Sequence, residues 1–393
     1  MSFIHHVLVP FVVSMLAAIW IFPNVLRIAL MKNIVDNPDA RKLQRVPVPV
    51  LGGVAVVFGI LVALSVCHIY VDCGDLFTII LAMLIMLYVG TIDDIMELSP
   101  GIRFLIEIAV TLMLMYSCGY SIDHFHGLWG LQGVSPYVSV PLTLVTVVGL
   151  INAINLIDGV DGYSSGYCIM ACTIFGLFFY LSGDVYMVLL ASVCAASLIP
   201  FFFHNVFGRT SKMFIGDGGT LVMGIVMSIF VLNVLKSNSC CVLYESWGIG
   251  LVPFALAVLS IPVFDTVRVM SMRILRGTSP FHPDKTHLHH LFISTGYSHI
   301  GTTISILILN LLVLLCWYIT YKCGASVDAQ FYVVIIMSLF VTFGFYGGMR
   351  LCQKSNNALW RLMCRVGKAT HVERKGFFLW LQRQMDGKPK SND

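Results

Sequence analysis

The chain has 393 residues, 58% of them apolar and only 11% charged, with a formal net charge of +4. Soluble domains carry roughly 25% charged residues, so the composition excludes an ordinary water-soluble domain, and no nucleic-acid partner is expected. Apolar runs of about 20 residues, the length that crosses a bilayer core, follow one another almost end to end. They predict an all-α polytopic membrane protein with about eleven transmembrane helices. The expected spans lie near 4–30, 50–71, 75–92, 102–120, 139–156, 163–181, 184–203, 219–236, 247–269, 301–321 and 330–350. Lipid-exposed single strands are excluded because their backbone groups would go unpaired, and barrel strands would alternate polar with apolar residues. The first span has no basic segment before it and no small-residue cleavage site after it, so it reads as a retained helix.

Lys and Arg fix the expected orientation. Apart from Lys236 and Lys322, all lie in or beside alternate loops: 31–49, 93–101, 157–162, 204–218, 270–300 and the tail from 351. The positive-inside rule places those loops in the cytoplasm and the N-terminus outside. Residues 1–350 thus form a transmembrane domain, and 351–393 a basic cytoplasmic tail. Trp360, Phe377, Phe378 and Trp380 interleave the tail's cations, which suits either a helix on an anionic leaflet or a solvated topology signal. The twelve cysteines lie mostly within spans, and the vicinal Cys240 and Cys241 lack metal-ligand spacing.

The unusual polar residues share that same face. Asp93 and Asp94 end the third span, where adjacent carboxylates repel and acids are poor helix C-caps. A metal or proton-handling role explains them better, and Arg103 can lean back from the next helix toward a phosphate. In "NAINLIDGVDG", Asn152, Asn155, Asp158 and Asp161 recur every three residues and form one ridge if the helix persists. Plain termination of a span needs no such spacing. Carboxylates and amide oxygens are what Mg²⁺ takes, alongside water and substrate phosphate. Asp217, in "FIGDGG", is expected in a loop just before a helix starting near Thr220, either as a cap or at an anion-favouring helix N-terminus. Phe214 upstream offers a flat face to a base. The loop "SPFHPDKTHLHHLF" holds His282, His287, His289 and His290. It lacks HExxH or CxxC spacing, so contact with an anionic substrate is favoured over zinc. Acids for Mg²⁺ and cations for phosphate at one membrane face suit phosphoryl transfer between a soluble nucleotide and a lipid phosphate.

In this order, "DD", "NxxNxxDGxDG", "FxGDxG" and "PDxxHxHH" resemble the polyprenyl-phosphate N-acetylhexosamine-1-phosphate transferases, over nearly all of the chain up to about residue 300. The likeness is strongest to the undecaprenyl-phosphate N-acetylglucosamine-1-phosphate branch of these glycosyltransferase family 4 membrane enzymes. It implies transfer of N-acetylhexosamine-1-phosphate from a UDP-sugar to undecaprenyl phosphate with release of UMP, with Mg²⁺ as cofactor and Mn²⁺ as a substitute. The partners implied are UDP-N-acetylhexosamine, undecaprenyl phosphate and membrane lipid, with room for a homodimer. The location implied is the bacterial inner membrane.

The resemblance further implies Asp93 or Asp94 as base at the lipid-phosphate side, and Asn155 and Asp217 as the metal ligands. It places Asp158, Asp161 and Phe214 at the nucleoside. It places Arg41, Arg103 and the histidine loop at phosphate or sugar. Among these, Asp93, Asp94, Asp158, Asp217, His287 and His290 count as catalytic. Arg41, Lys42, Arg103, Asn152, Asp161, Phe214, His282 and His289 count as substrate-binding. Three positions depart from the family's frequent pattern: Gln44, Val50 and Glu97. The competing expectations are the phospho-N-acetylmuramoyl-pentapeptide transferase of the same family, a polytopic transporter, and a zinc hydrolase built on the histidine loop.

Overall fold

A computed structural model describes residues 3–38, 46–67, 74–280, 285–373 and 376–386. Helices dominate it. The first half comprises α1 (Val9–Met31), α2 (Gly52–Cys67), α3 (Leu76–Met96), α4 (Pro100–Cys118), α5 (Pro136–Leu156), α6 (Tyr163–Ser182), α7 (Val185–Phe207) and α8 (Gly216–Leu235). The second half comprises α9 (Leu251–Val258), α10 (Ser260–Leu275), α11 (Leu288–Ser294), α12 (His299–Lys322), α13 (Val327–Leu339), α14 (Tyr346–Ser355), α15 (Ala358–Ala369) and α16 (Gly376–Asp386). Among the described residues, nine helices are long and apolar enough to span a membrane. The protein is an all-α, multi-pass membrane protein.

Local sequence explains where the helices begin and end. α4 and α5 each open on an extended serine, Ser99 or Ser135, followed by proline at the first helical position. There proline's fixed φ is helical and its missing N–H costs no bond. α7 opens on Asp184, whose carboxylate accepts from the Met187 N–H at 3.1 Å.

Two expected spans take another form. The span at 50–71 is the sixteen-residue helix α2, and residues 68–73 lie outside the described residues. The span at 247–269 is broken at Leu259 into α9 and α10, and α9 is bent by 109° from the preceding 3-10 turn, Cys240–Trp247. Pro262 explains the break, since its ring excludes a helical bond to the Val258 carbonyl. Asn310 of α12 satisfies the freed groups: its amide donates to the Val258 carbonyl at 3.0 Å, and its oxygen accepts from the Ile261 N–H at 3.1 Å. Irregular backbone at membrane depth persists only where protein pairs it in this way.

α8 is the axis of the fold. Its most apolar eighteen-residue window is wholly buried, as befits a helix that is hydrophobic on every side. α3 and α5 pack along it most extensively. Gly90 of α3 lies flat against the start of α8, where a Cβ would sit 2.4 Å from the Asp217 carbonyl carbon. That missing side chain is what brings the end of α3 beside Asp217. A short antiparallel pair, β1 (Val35–Asp36) with β2 (Val48–Pro49), covers the same end. The Phe214 N–H donates to the Pro49 carbonyl at 2.7 Å and ties β2 to the loop before α8.

The tail beyond residue 350 is helical in α15 and α16 and docks at that end too. α14 itself continues to Ser355, so the expected boundary at 350 falls within a helix. The Asp386 carboxylate accepts from the backbone N–H groups of Arg209, Thr210 and Ser211 at 2.9–3.0 Å. Phe378 packs against Phe207 of α7.

Candidate functional site

Five segments deliver polar residues to one end of the bundle: the C-terminal end of α3, the start of α4, the end of α5, the α5–α6 loop and the start of α8. Asp94 accepts from the Asp217 N–H at 3.0 Å and the Gly218 N–H at 3.3 Å. The anion-favouring N-terminus of α8 is therefore held by the protein's own carboxylate. Asp217 belongs to the first turn of α8, which starts at Gly216 and not near Thr220, and its side chain makes no cap. Asp94 caps in its place.

Arg103 organises the acids. Its guanidinium donates to Asp93 at 3.2 Å, Glu107 at 3.2 Å and the Asn155 side-chain oxygen at 2.9 Å, and lies 3.6 Å from Asp217. Asn155 in turn donates to Asp217 at 2.7 Å and Thr220 at 2.8 Å. Asn152 donates to Glu107 at 2.7 Å. α5 ends at Leu156. The expected ridge thus covers only Asn152 and Asn155, while Asp158 and Asp161 are carried by the loop. Ser164 donates a short hydrogen bond to Asp158.

Asp158 is exposed to the cavity that it lines. Partial desolvation within that cavity, with Asp217 and Asp161 nearby, pushes its carboxyl above the ordinary aspartate range despite the Ser164 bond. Asp161 shows the opposite balance. Burial raises it, but His299 at 2.7 Å and Lys212 at 2.6 Å outweigh burial and hold it below that range.

These groups line a cavity of about 780 Å³. Among the expected residues, Asp94, Asn155, Asp158, Asp161, Phe214, Asp217 and His290 face it. Asp93, Arg103 and Asn152 do not line it and stand behind the acids. The histidine loop divides. His290 lines the cavity, whereas His287 and His289 are buried at 5% and 2% exposure. The His287 ring donates from Nδ1 to Asp265 at 3.0 Å. His289 packs against Gly159, where a Cβ would lie 2.5 Å from its Nε2. Burial, with His290 and His287 alongside, drives the His289 imidazole well below its usual pKa. A buried ring packed under the α5–α6 loop supports that loop and is not among the residues that line the cavity. Arg41, Lys42 and His282 lie outside the described residues.

Several site residues went unread in the sequence. Glu107 is fully buried in α4 between Arg103 and Asn152. A single acid four residues after an arginine, inside an apolar span, was the available signal. Lys212 and His299 pair with Asp161, but nothing in their spacing announces it. Asp265 accepts from both Arg268 at 2.7 Å and His287, and so anchors the histidine loop on α10.

A second, almost wholly apolar cavity of about 790 Å³ adjoins the first set of residues at Asn152. Phe104 and Ile108 of α4, Val145 and Val148 of α5, and Val263 and Met270 of α10 are among its walls. It shares Asn152 with the polar network, in which that residue is bonded to Glu107 and Arg103 behind the acids.

Residues 76–235, which carry most of these groups, match the glycosyl transferase family 4. A Bacillus subtilis (strain 168) protein named a probable undecaprenyl-phosphate N-acetylglucosaminyl 1-phosphate transferase is 30% identical over 294 residues, covering 75% of this chain and 79% of that protein. An undecaprenyl-phosphate alpha-N-acetylglucosaminyl 1-phosphate transferase of Yersinia pestis is 28% identical, with 69% and 73% covered. The protein of that name from Escherichia coli (strain K12) is 25% identical, with 69% and 72% covered. The chain belongs to glycosyl transferase family 4, in the branch of the undecaprenyl-phosphate N-acetylglucosaminyl 1-phosphate transferases, and is a sugar-phosphate transferase.

Proposed function

We propose that this protein transfers N-acetylglucosamine-1-phosphate from UDP-N-acetylglucosamine to undecaprenyl phosphate, releasing UMP, at the cytoplasmic face of a bacterial inner membrane. The observation that carries the reading is a pair of cavities of opposite character on either side of the acid cluster. An apolar one suited to a polyprenyl chain has Asn152 in its wall, and an acid-lined one suited to a charged nucleotide has Asn155 and Asp217 in its wall; Arg103, bonded to Asn152 and Asn155, lies between them. The relatives' printed names supply the identity of donor sugar and lipid.

The donor set fits Mg²⁺. Asp93, Glu107 and Asp217 surround one guanidinium, Arg103, and Asp94 and Asp158 lie close to Asp217. That excess of hard oxygen and negative charge suits a divalent cation with a diphosphate. Asn155 and Asp217 are the residues that would hold it. Bound there, Mg²⁺ would neutralise charge on the donor diphosphate. Mn²⁺ fits the same oxygens.

The protein's own groups do the rest. Asp93 or Asp94 takes the proton of the acceptor phosphate, whose oxygen attacks the sugar-bearing phosphorus as UMP leaves. Arg103, held behind the acids by Glu107 and Asp93, would offer its N–H groups to phosphate oxygens. Asp158, Asp161 and Phe214 line the nucleoside end, with Lys212 held over the Phe214 ring at 5.7 Å. His290 serves the phosphates from the cavity wall, while His287 and Asp265 hold its loop in place.

A membrane assay that measures UMP release from a panel of UDP-sugars, with mass analysis of the lipid product, tests this reading. UDP-N-acetylglucosamine is expected to be turned over, and activity to disappear in excess EDTA. Full activity in EDTA, or no lipid-linked product, would sink it.

A further inference from the structure

At the end of α4 and α5 remote from the acids lies a second polar cluster that the transfer reaction does not use. One nitrogen each from His124 and His126 and one oxygen of Glu245 lie within 4.8 Å of one another. His126 is 2% exposed, and its backbone is held at φ +54°, uncommon for a residue with a side chain. Its Nε2 sits 3.1 Å from the Leu235 carbonyl, which can only accept, so Nε2 carries a hydrogen and donates.

The other nitrogen, Nδ1, faces the Glu245 carboxylate at 2.5 Å and the His124 Nδ1 at 3.1 Å. His124 Nδ1 accepts from the His126 backbone N–H at 3.1 Å, so it presents a lone pair. Two imidazole nitrogens and a carboxylate converging on one point repel unless a positive centre lies among them. The buried His126 leaves little water to supply it.

We propose that His124, His126 and Glu245 bind one zinc-class divalent cation that ties the α4–α5 loop to the α8–α9 connection. Imidazole and carboxylate together suit zinc, whereas Mg²⁺ prefers oxygen alone. Ligands about 2.0–2.1 Å from a tetrahedral ion stand roughly 3.3 Å apart, close to the spacing of the two nitrogens. Glu245 has to recede by less than about 1 Å for zinc to enter, and its side chain, 31% exposed on the 3-10 turn, has room to do so. The lone pair of His124 turns from the backbone N–H to the ion. The bond from His126 Nε2 to the Leu235 carbonyl is the outer support that zinc-binding histidines commonly carry.

The ion has a structural task here. Ile122 and Phe125, on the same loop, wall the apolar cavity, and Trp129 donates from its backbone to Asp328 of α13 at 2.6 Å. Fixing His124 and His126 to Glu245 therefore fixes the wall of that cavity.

The full-length protein in detergent, stripped with chelator and titrated with Co²⁺ and then Zn²⁺, tests the site. Wild type should take up one equivalent of Co²⁺ with visible absorption bands of a low-coordinate site, lose them to Zn²⁺, and melt at a higher temperature with Zn²⁺. His124→Ala and the near-isosteric Glu245→Gln should each weaken uptake at least about tenfold, while His287→Ala leaves it intact. Three results would each overturn the proposal. One is no uptake, which leaves the cluster as an ion pair sharing a proton. The second is unchanged uptake in both His124→Ala and Glu245→Gln. The third is loss of uptake in His287→Ala, which moves the metal to the histidine loop.

Discussion

At the residue scale, the site depends on a guanidinium held among acids. Glu107 and Asn152 orient Arg103 from inside the membrane, so Glu107→Gln should leave a folded protein whose turnover falls by about 10–100-fold. As a positioning residue, Glu107 should act mainly on kcat, and Glu107→Asp should recover part of the loss. Equal kcat in wild type and Glu107→Gln would remove it from the machinery. Asp217→Asn and Asn155→Ala should each reduce turnover by at least about 100-fold while membrane insertion and melting stay near wild type. Retained rates in both would reduce these groups to helix-end polarity.

Asp158 carries a pH signature. Its folded carboxyl titrates above the ordinary aspartate value, so the fold holds a proton that the unfolded chain has released. Its contribution to stability is fully present below the unfolded pKa of roughly 3.9 and is lost as pH rises through the raised folded value. In metal-free buffer, the melting temperature of Asp158→Asn should fall less than that of wild type over this window. Parallel curves would show that Asp158 is not shifted.

At the element scale, the acids of α3 meet α8 because Gly90 has no side chain. Gly90→Ala places a methyl carbon against the Asp217 backbone and should cost about 1–3 kcal/mol by overpacking, with loss of turnover. An unchanged melting curve and rate would show that α3 and α8 can part freely. The tail offers a second element-scale prediction. Asp386 caps the 209–211 turn, and Lys212, the next residue, pairs with Asp161. Asp386→Ala should therefore raise the KM for the nucleotide donor a few-fold, with kcat near wild type. No change in KM would leave the tail as a surface helix only. Neither link was legible in the sequence, where the tail reads as basic and amphipathic. Glu107, by contrast, was within reach, as a lone acid in an apolar span.

At the scale of the whole molecule, orientation is the open prediction. UDP-sugars are too charged to cross a bilayer core, so the acid-lined end must face the cytoplasm if the donor reading holds, and the Lys and Arg distribution assigns the same side. In a cysteine-depleted background, an impermeant thiol reagent on sealed cells should label Ser326→Cys and spare Ser279→Cys until the membrane is opened. Labelling at position 279 in sealed cells would overturn the orientation and the donor assignment with it.

Composition alone established a helical membrane protein, because 58% apolar residues cannot be hidden in water-facing surface. The order of the acidic and histidine motifs identified the family, since motif chemistry is written in residue type and spacing. Tertiary structure alone decided the rest, because it depends on which helices touch. Pro262 breaks a span and Asn310, forty-eight residues later, repairs its hydrogen bonds. Asp94 caps a helix that begins at Gly216, and a histidine loop that reads as one cluster splits into a cavity-facing His290 and the buried His287 and His289. Burial and partner choice between residues distant in sequence are set by packing, and the spacing of residues along the chain does not encode them.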